Sequence, residues 1–318
     1  MKIKSSIILS LVATAGVFCS CNENEQFEGE LYEKVIYLLS NDDYTFESVH
    51  EFGDISTGYV TAYCGGTEHL QKDVTVELEP DPEALAAYNR MYFDINESKY
   101  ALELDPAHYS IESYTTVLRA DSPDNYALLP IKINPEGLSP DKTYIIPLRI
   151  KSISDYRTNP NKEKVLFRVV LANEYATMKT TTYYQMTGTE TIGQGSSAAS
   201  SGVSVTRVVA PVSKNEIRLW AGTNSYSPGN VTDEEMNRNS IVYTFNEDHT
   251  ITVRPYVSEE EGGIKVEQIE IDNPEYNFWE VMPNGSLKIG VAYRYNDVTK
   301  GNVTMKETNV YRNFKPLY

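Results

Sequence analysis

The sequence YALLPIKINPEGLSPDKTYIIPLRI, residues 126–150, decides the fold class of this chain. Two runs in which apolar and polar residues alternate flank PEGLSPDKTY, a segment rich in Pro, Gly and Asp. Such alternation is typical of a half-buried β-strand, and Pro and Gly between two such runs indicate a turn. The pattern recurs in EKVIYLLS, TGYVTAY, DVTVELEP and VLFRVVLAN. Because 24 Tyr residues and many β-branched residues favour the same structure, an all-β fold is predicted.

The alternation also assigns side chains to the faces of the strands. It places apolar side chains on a common face in two of them: Val35, Tyr37 and Leu39 in the first, and Val74, Val76 and Leu78 in the second. The segment DPEALAAYNRMY, residues 81–92, departs from this period, because Asp81 is followed by Pro82 and then by good helix formers. Pro is tolerated in the first turn of a helix, so one short helix is predicted between strands.

The second half of the chain continues the strand pattern after a change of composition. The segment from Gly193 to Gly202 is rich in Gly, Ser and Ala, and it predicts a flexible loop or linker. We place the domain boundary before it, so that residues 31–172 and residues 173–318 form two domains. Short strands with tight turns follow, which predicts an antiparallel β-barrel or sandwich, with a calycin-like barrel favoured.

The N-terminal residues indicate export. Residues 1–20 hold two lysines and then an apolar run too short for a membrane-spanning helix. Ser20 before Cys21 resembles the lipobox of lipoprotein signal peptidase, which predicts lipidation of Cys21; an ordinary secretory peptide with incidental cysteines is the alternative. Residues 21–30 form an acidic tether that resembles the surface-export signal of Bacteroidetes lipoproteins. We therefore expect a lipid-anchored protein of the outer membrane that faces the extracellular medium.

The chain is strongly acidic. Its formal charge is −17, and cleavage after residue 20 removes two lysines and no acids, which leaves −19. Nucleic-acid binding needs clustered Lys and Arg, so it is disfavoured, whereas ligands such as glycans remain open. Cys64 is the one thiol that remains unmodified after processing, so no internal disulfide is expected. Its place at the end of an alternating segment favours a buried apolar role over that of a nucleophile.

The stretch that begins at Tyr126, together with the helical segment DPEALAAYN, resembles a Bacteroidetes lipoprotein domain known as domain of unknown function 1735. The resemblance covers residues 30–172 and implies an Ig-like β-sandwich with a short inserted helix. The second half resembles domain of unknown function 4361, a C-terminal module that often follows it. This pairing implies an accessory lipoprotein of a polysaccharide-utilisation system, whose partners are an extracellular glycan and an outer-membrane transporter complex. The family supplies no catalytic residue.

No motif for catalysis or metal binding is found in the sequence. Its four histidines, at positions 50, 69, 108 and 249, lack the close spacing of zinc ligands, and His249 is interpreted as a hairpin-turn residue. The sequence therefore predicts no enzyme, no metal and no cofactor. The leading hypothesis is a non-enzymatic surface protein that binds polysaccharide. Two alternatives remain: a structural or adhesive protein that binds another protein, and a glycoside hydrolase, for which two suitably placed carboxylates suffice.

Four side chains are candidates for a glycan-binding site. In NEIRLWAG the aliphatic residues share one face of the strand, so Arg218 and Trp220 point to the other face. An aromatic ring can stack on the C–H face of a sugar, and an Arg beside it can bind hydroxyl groups. The nearby loop TNSYSPGN adds Tyr226, and Trp279 in YNFWEVM is a further ring. The alternative is that both faces of these strands are covered, which would make Trp220 part of a core.

Overall fold

The computed structural model of the chain describes residues 33–66 and 69–314. The predicted signal peptide (residues 1–20), the acidic tether (residues 21–30) and the lipidation site Cys21 lie outside the described residues. Within them, the chain forms a β-sandwich followed by a β-barrel, and it passes from one to the other after Ala172, the last residue of a sandwich strand.

Strands dominate both parts of the described chain. Two helices are present there, α1 (Pro82–Phe93) and α2 (Asp233–Asn239). The strands of the sandwich are β1 (Val35–Leu38), β2 (Thr45–Glu51), β3 (Ser56–Gly65), β4 (Val74–Pro80), β5 (Leu102–Glu103), β6 (Tyr109–Ser110), β7 (Thr115–Leu118), β8 (Tyr126–Ile133), β9 (Tyr144–Ile153), β10 (Arg157–Thr158) and β11 (Lys164–Ala172). Those of the barrel are β12 (Thr182–Ile192), β13 (Ala199–Ser213), β14 (Glu216–Trp220), β15 (Ser240–Phe245), β16 (Ile251–Pro255), β17 (Val266–Gln268), β18 (Phe278–Val281), β19 (Leu287–Asp297) and β20 (Gly301–Tyr311).

Two sheets that share one core form the Ig-like sandwich. One sheet has the strand order β10-β1-β3-β8-β6, and the other has the order β2-β11-β9-β4-β7 with β5 beside β9. Alternate residues of both sheets point inward, among them Ile36, Leu129 and Phe167. Burial of these apolar side chains between the two sheets stabilises the sandwich. Most strand pairs are antiparallel, whereas β1/β10, β2/β11 and β5/β9 are parallel.

Helix α1 packs against the second sheet. The Asp81 side chain accepts a hydrogen bond from the backbone N–H of Ala84 at 3.2 Å, and Pro82 lies in the first turn. Both features stabilise the start of a helix. The buried Leu85 contributes to a small apolar cluster with Ile145 of β9. The prediction of one short helix between strands at this place is confirmed.

The barrel is built from one nearly closed antiparallel sheet. Its strand order is β16-β15-β14-β13-β12-β20-β19-β17, and β18 pairs with β19. The Gln268 side chain connects the two ends of the sheet, because its Nε2 donates to the carbonyl of Ile251 at 3.0 Å and its Oε1 accepts from the N–H of Val253 at 2.7 Å. Apolar and tyrosine side chains, such as Ile289 and Tyr293, fill the interior. Closing the sheet leaves little strand edge unpaired.

The predicted linker is part of the barrel. Strands β12 and β13 form one long hairpin, in which Ile192 pairs with Ala199 and Thr189 pairs with Gly202. The prediction of a loop from Gly193 to Gly202 is therefore confirmed for residues 193–198, which connect the two strands, and wrong for residues 199–202, which belong to β13. Residues 199–202 are exposed, so this part of β13 needs no bulky apolar side chains even though its backbone is paired. Composition alone could not distinguish an exposed hairpin end from a linker.

The apolar row predicted in β1 points outward. Ile36 and Leu38 are fully buried, whereas Val35 and Tyr37 are partly exposed and Leu39 is 45% exposed. In EKVIYLLS both faces of the strand are apolar, so alternation could not decide which face enters the core. The row predicted in β4 is buried as expected.

Two predictions for single residues are confirmed, and one helix was not predicted. Cys64 is 3% exposed and packs in the sandwich core. His249 lies in the turn between β15 and β16 with a φ of 66°. Helix α2 was missed, although Thr232 and Glu235 form a capping box at its start. The spacing of a Thr and a Glu three residues later is the sequence signal for such a start.

Candidate functional site

A cleft of about 1230 Å³ lies where the sandwich and the barrel meet. The sandwich contributes the second half of β11 and residues 140–143, which precede β9. The barrel contributes residues 208–210 of β13 and much of the loop that leads into α2, and residues 177–182 form a wall between the two parts. Ligand sites occur preferentially at such junctions between domains. This cleft is therefore the candidate functional site.

A buried ion pair joins the barrel to the sandwich beside the cleft. Arg218 on β14 is fully buried, and both of its Nη atoms donate to the carboxylate of Asp141, with Nη2 2.5 Å from Oδ1. The guanidinium carbon lies 4.7 Å from the ring centre of Tyr256. Burial alone would lower the pKa of Arg218, but the hydrogen bonds and the charge of Asp141 raise it above its usual value. The guanidinium of Arg218 therefore stays charged, and its hydrogen bonds to Asp141 join the two domains at this point.

Tyr226 brings an aromatic ring into the lining of the cleft. Its ring centre is 5.4 Å from that of Trp220, and both residues are partly buried. Burial raises the pKa of Tyr226, while the neighbouring Arg218 acts in the opposite direction. The indole Nε1 of Trp220 is buried and has no hydrogen-bond partner among the described residues. The structure thus brings together three of the four predicted site residues, Arg218, Trp220 and Tyr226.

Two of the predicted site residues differ from the expectation. An exposed Trp220 beside Arg218 was expected, whereas Trp220 is partly buried and Arg218 is fully buried beneath Asp141 of the sandwich. Trp279 on β18 lies outside the cleft and is partly buried. Its ring packs edge-on against Phe245, and its Nε1 donates to the carbonyl of Asn246 at 3.1 Å. Trp279 therefore does not share a site with Tyr226.

The sequence reasoning missed the cleft residues that lie outside the barrel strands. Asp141 lies in PEGLSPDKTY, where it was interpreted only as part of a turn. It pairs with a residue 77 positions away in the chain, a contact that only the fold creates. Residues 177–182, TMKTTT, include four threonines, and all four line the cleft. This concentration of hydroxyl side chains was the available signal.

Two family models match nearly the whole described chain. A model of an N-terminal domain matches residues 32–157, and a model of a C-terminal domain matches residues 163–312. The structure of a multidomain protein including domain of unknown function 1735, from Bacteroides ovatus, is 16% identical with a TM-score of 0.58, over 86% of this chain and 94% of that chain. The chain belongs to the family of two-domain Bacteroidetes proteins that these two models describe.

Two further solved structures share the fold of this family member. An auxiliary nutrient binding protein from Bacteroides thetaiotaomicron is 17% identical with a TM-score of 0.56, over 86% of this chain and 93% of that chain. A protein of unknown function from Bacteroides ovatus is 16% identical with a TM-score of 0.61, over 88% of this chain and 96% of that chain. Identities this low establish the fold alone. No curated protein matches the chain.

A second polar cluster of the protein lies inside the barrel. The carboxylate of Glu307 accepts from both Nη atoms of Arg207, at 2.6 and 2.8 Å, and from the hydroxyls of Tyr243 and Tyr293, at 2.5 and 3.2 Å. All four side chains are buried. Burial raises the pKa of both tyrosines, and the negative charge of Glu307 raises it further. Because the cluster is closed to solvent, we interpret it as a structural element of the barrel.

Within residues 33–66 and 69–314, no group of three or more His, Cys, Asp or Glu side chains could hold a metal ion. The same residues contain no helix that is both long and apolar enough to span a membrane. The side chains that line the cleft can donate hydrogen bonds, form ion pairs and stack on a ligand.

Proposed function

We propose that this protein binds extracellular polysaccharide in the cleft between its domains, as a non-enzymatic surface protein of a glycan-utilisation system. The observation that carries the proposal is the lining of the cleft, in which the exposed Thr180 and Thr181 of one wall accompany the ring of Tyr226. Sugars present hydroxyl groups that pair with such side chains and C–H faces that stack on aromatic rings. A volume of about 1230 Å³ exceeds that of most small-molecule pockets and has room for several sugar units.

The carboxylates of the cleft support binding rather than hydrolysis. The lining contains two of them, Asp141 and Asp233. Asp141 is bound to Arg218, and Asp233 lies 2.9 Å from the Nζ of Lys142. Glycoside hydrolysis needs one carboxylic acid to protonate the leaving group and a second carboxylate to act as base or nucleophile. Both carboxylates of the lining thus already accept from a cation, an arrangement that favours binding of a ligand over the proton donation that hydrolysis needs.

The cleft proposal is tested by affinity electrophoresis over a panel of polysaccharides with a variant that fills the cleft. Thr181 is exposed on the cleft wall, so Thr181→Met should fill part of the cleft without changing its charge or disturbing a core. The matched control is Thr187→Met, at an exposed position of β12 outside the cleft. We expect at least one polysaccharide to retard the wild type and the control but not the cleft variant. Equal retardation of all three proteins, or none by any glycan, would overturn the proposal.

The cellular setting forms part of the same proposal. Lipid on Cys21 anchors the protein to the outer membrane, where it presents glycan to a transporter complex. The sequence of residues 1–21 supports the anchor, and the name of the Bacteroides thetaiotaomicron neighbour, an auxiliary nutrient binding protein, agrees with a role in nutrient capture. Labelled palmitate should enter the wild type and not the Cys21→Ser variant. Equal labelling of both proteins, or labelling of neither, would rule out a lipid anchor at Cys21.

A protein partner is the second candidate function, and one surface favours it. Tyr59 on β3 and Tyr126 and Leu128 on β8 lie on the outer face of the sandwich, and each is more than 40% exposed. Exposed apolar groups of this kind are enriched at protein interfaces. A photo-crosslinking residue at position 128 should form one defined adduct in intact cells if this face has a partner. Absence of a defined adduct would exclude the candidate.

A further inference from the structure

We infer that the glycan of the cleft is acidic and carries carboxylate or sulfate groups along its chain. This inference rests on the proposed function, because it names the class of polysaccharide that the same cleft binds. The charges of the lining, and the partners that those charges already have, carry the argument.

The cleft lining is positive although the chain as a whole is negative. Six charged side chains line the cleft: the cations Lys99, Lys142, Arg168 and Lys179, and the carboxylates Asp141 and Asp233. The whole chain has a formal charge of −17. An excess of cations in this cleft is therefore the reverse of what the composition of the chain would produce at random.

Both carboxylates of the lining already have a cation as partner. Asp141 is committed to Arg218, a buried cation behind the lining, through two hydrogen bonds. Asp233 pairs with Lys142. Each carboxylate therefore cancels one cation that lies within or directly behind the lining, and neither is left over to pair with another lysine.

Two lysines of the lining have no carboxylate partner. Arg168 pairs with Glu47 at 2.8 Å. Lys99 follows α1 in the short helical turn of residues 97–99, and Lys179 lies in the threonine wall; both are exposed. Within the described part of the chain, no carboxylate lies within ion-pair distance of either ammonium group. The sandwich and the wall each present one ammonium group to a ligand.

A ligand with spaced negative groups gains most from this arrangement. The Debye length is about 8 Å at physiological ionic strength. A ligand in the cleft therefore interacts with the charges that line it, whereas the charges of distant acidic residues are screened. Concave walls of low dielectric strengthen the field of such charges. Carboxylate and sulfate oxygens accept charge-assisted hydrogen bonds from Lys Nζ. A nucleic acid has a phosphate at every unit and needs clustered cations, so two separate lysines favour a sugar polymer.

The inference is tested with polymers that differ only in charge. Polygalacturonate is compared with its fully methyl-esterified form, and dextran sulfate with dextran, by affinity electrophoresis and calorimetry on the full chain at low and high NaCl. We expect the acidic member of at least one pair to bind about tenfold or more tightly than its neutral counterpart, with the advantage reduced in high salt. Polyphosphate, an anion without sugar rings, should bind more weakly than the acidic glycan.

Paired lysine variants locate the effect in the cleft. Lys99→Gln with Lys179→Gln should weaken binding of the acidic polymer about five- to tenfold, as expected for two exposed ion pairs, and leave neutral glycans unaffected. The control, Lys265→Gln with Lys306→Gln, makes the same change of charge at exposed lysines of the barrel outside the cleft. Equal losses in both double variants, equal binding of acidic and neutral polymers, or tighter binding of polyphosphate would overturn the inference. Neutral glycans that bind and are lost only with Thr181→Met would leave the proposed function intact, whereas no binding of any glycan would overturn both.

Discussion

Acidification below pH 6.5 should destabilise the sandwich through one buried histidine. His50 on β2 is 1% exposed and packs against the ring of Phe167, with ring centres 6.1 Å apart. Its Nδ1 lies 2.6 Å from the hydroxyl of Ser56, while its Nε2 is buried and has no hydrogen-bond partner among the described residues. Burial lowers the pKa of His50 from 6.5 to about 4. The folded protein therefore holds this imidazole neutral over most of the range in which the unfolded chain protonates it.

The size and sign of the effect follow from the two pKa values. Because the unfolded chain takes up the proton first, the contribution of neutral His50 to stability is complete above pH 6.5 and is lost as the pH falls toward 4. From these values, the unfolding free energy falls by about 1.4 kcal/mol at pH 5.5 and by about 2.5 kcal/mol at pH 4.5. The full loss, reached below pH 4, is about 3 kcal/mol.

Urea unfolding of the wild type and of His50→Gln measures this contribution. Carboxylates titrate in both proteins, so the difference between their unfolding free energies isolates the imidazole. Between pH 7.5 and pH 4.5, the unfolding free energy of the wild type should fall by about 2.5 kcal/mol more than that of the variant. Far-UV circular dichroism follows the unfolding, because both Trp residues lie in the barrel and report poorly on the sandwich. A difference that stays constant with pH, or an NMR titration of the His50 ring near pH 6.5, would refute the reasoning.

Two further predictions concern packing and buried charge. Glu307→Gln removes the charged partner of Arg207 inside the barrel and should lower the unfolding free energy by about 3–5 kcal/mol, whereas joint replacement of both residues by apolar ones should recover most of the loss in thermal unfolding. Gly58→Ala would place a methyl group 2.5 Å from Cζ of Phe167 and should cost about 1–3 kcal/mol by urea unfolding, while Gly202→Ala, with no atom within 4 Å of the new methyl group, should cost little. Equal stability of the two alanine variants would contradict the second prediction.

The architecture of this protein follows from its sequence to a large degree, because strand alternation is a local property. In β4 only one face is apolar, so its inward row could be assigned from the sequence. In β1 both faces are apolar, and the choice of Ile36 and Leu38 as the inward pair depends on the register with β3. The hairpin around Gly193 was missed for a related reason. Backbone hydrogen bonds between exposed strand residues produce no alternation of apolar and polar side chains in the sequence. The local pattern of apolar and polar residues thus predicts the strands. Where both faces of a strand are apolar, its pairing with neighbouring strands determines which face is buried.

The two buried arginines show what phase along a strand can and cannot reveal. Arg207 on β13 and Glu307 on β20 fall in phase with apolar residues that fill the barrel, so two opposite charges on inward positions already indicate a buried pair. Arg218 on β14 is out of phase with its aliphatic neighbours, which correctly places it on the outer face of the barrel. That outer face is buried because the carboxylate of Asp141 in the sandwich meets it. The alternation along a strand therefore shows which face of the strand a residue occupies. Only the packing of the two domains shows whether that face is exposed to water. For this reason, a site formed at the junction of the domains could not be predicted from the sequence of either domain.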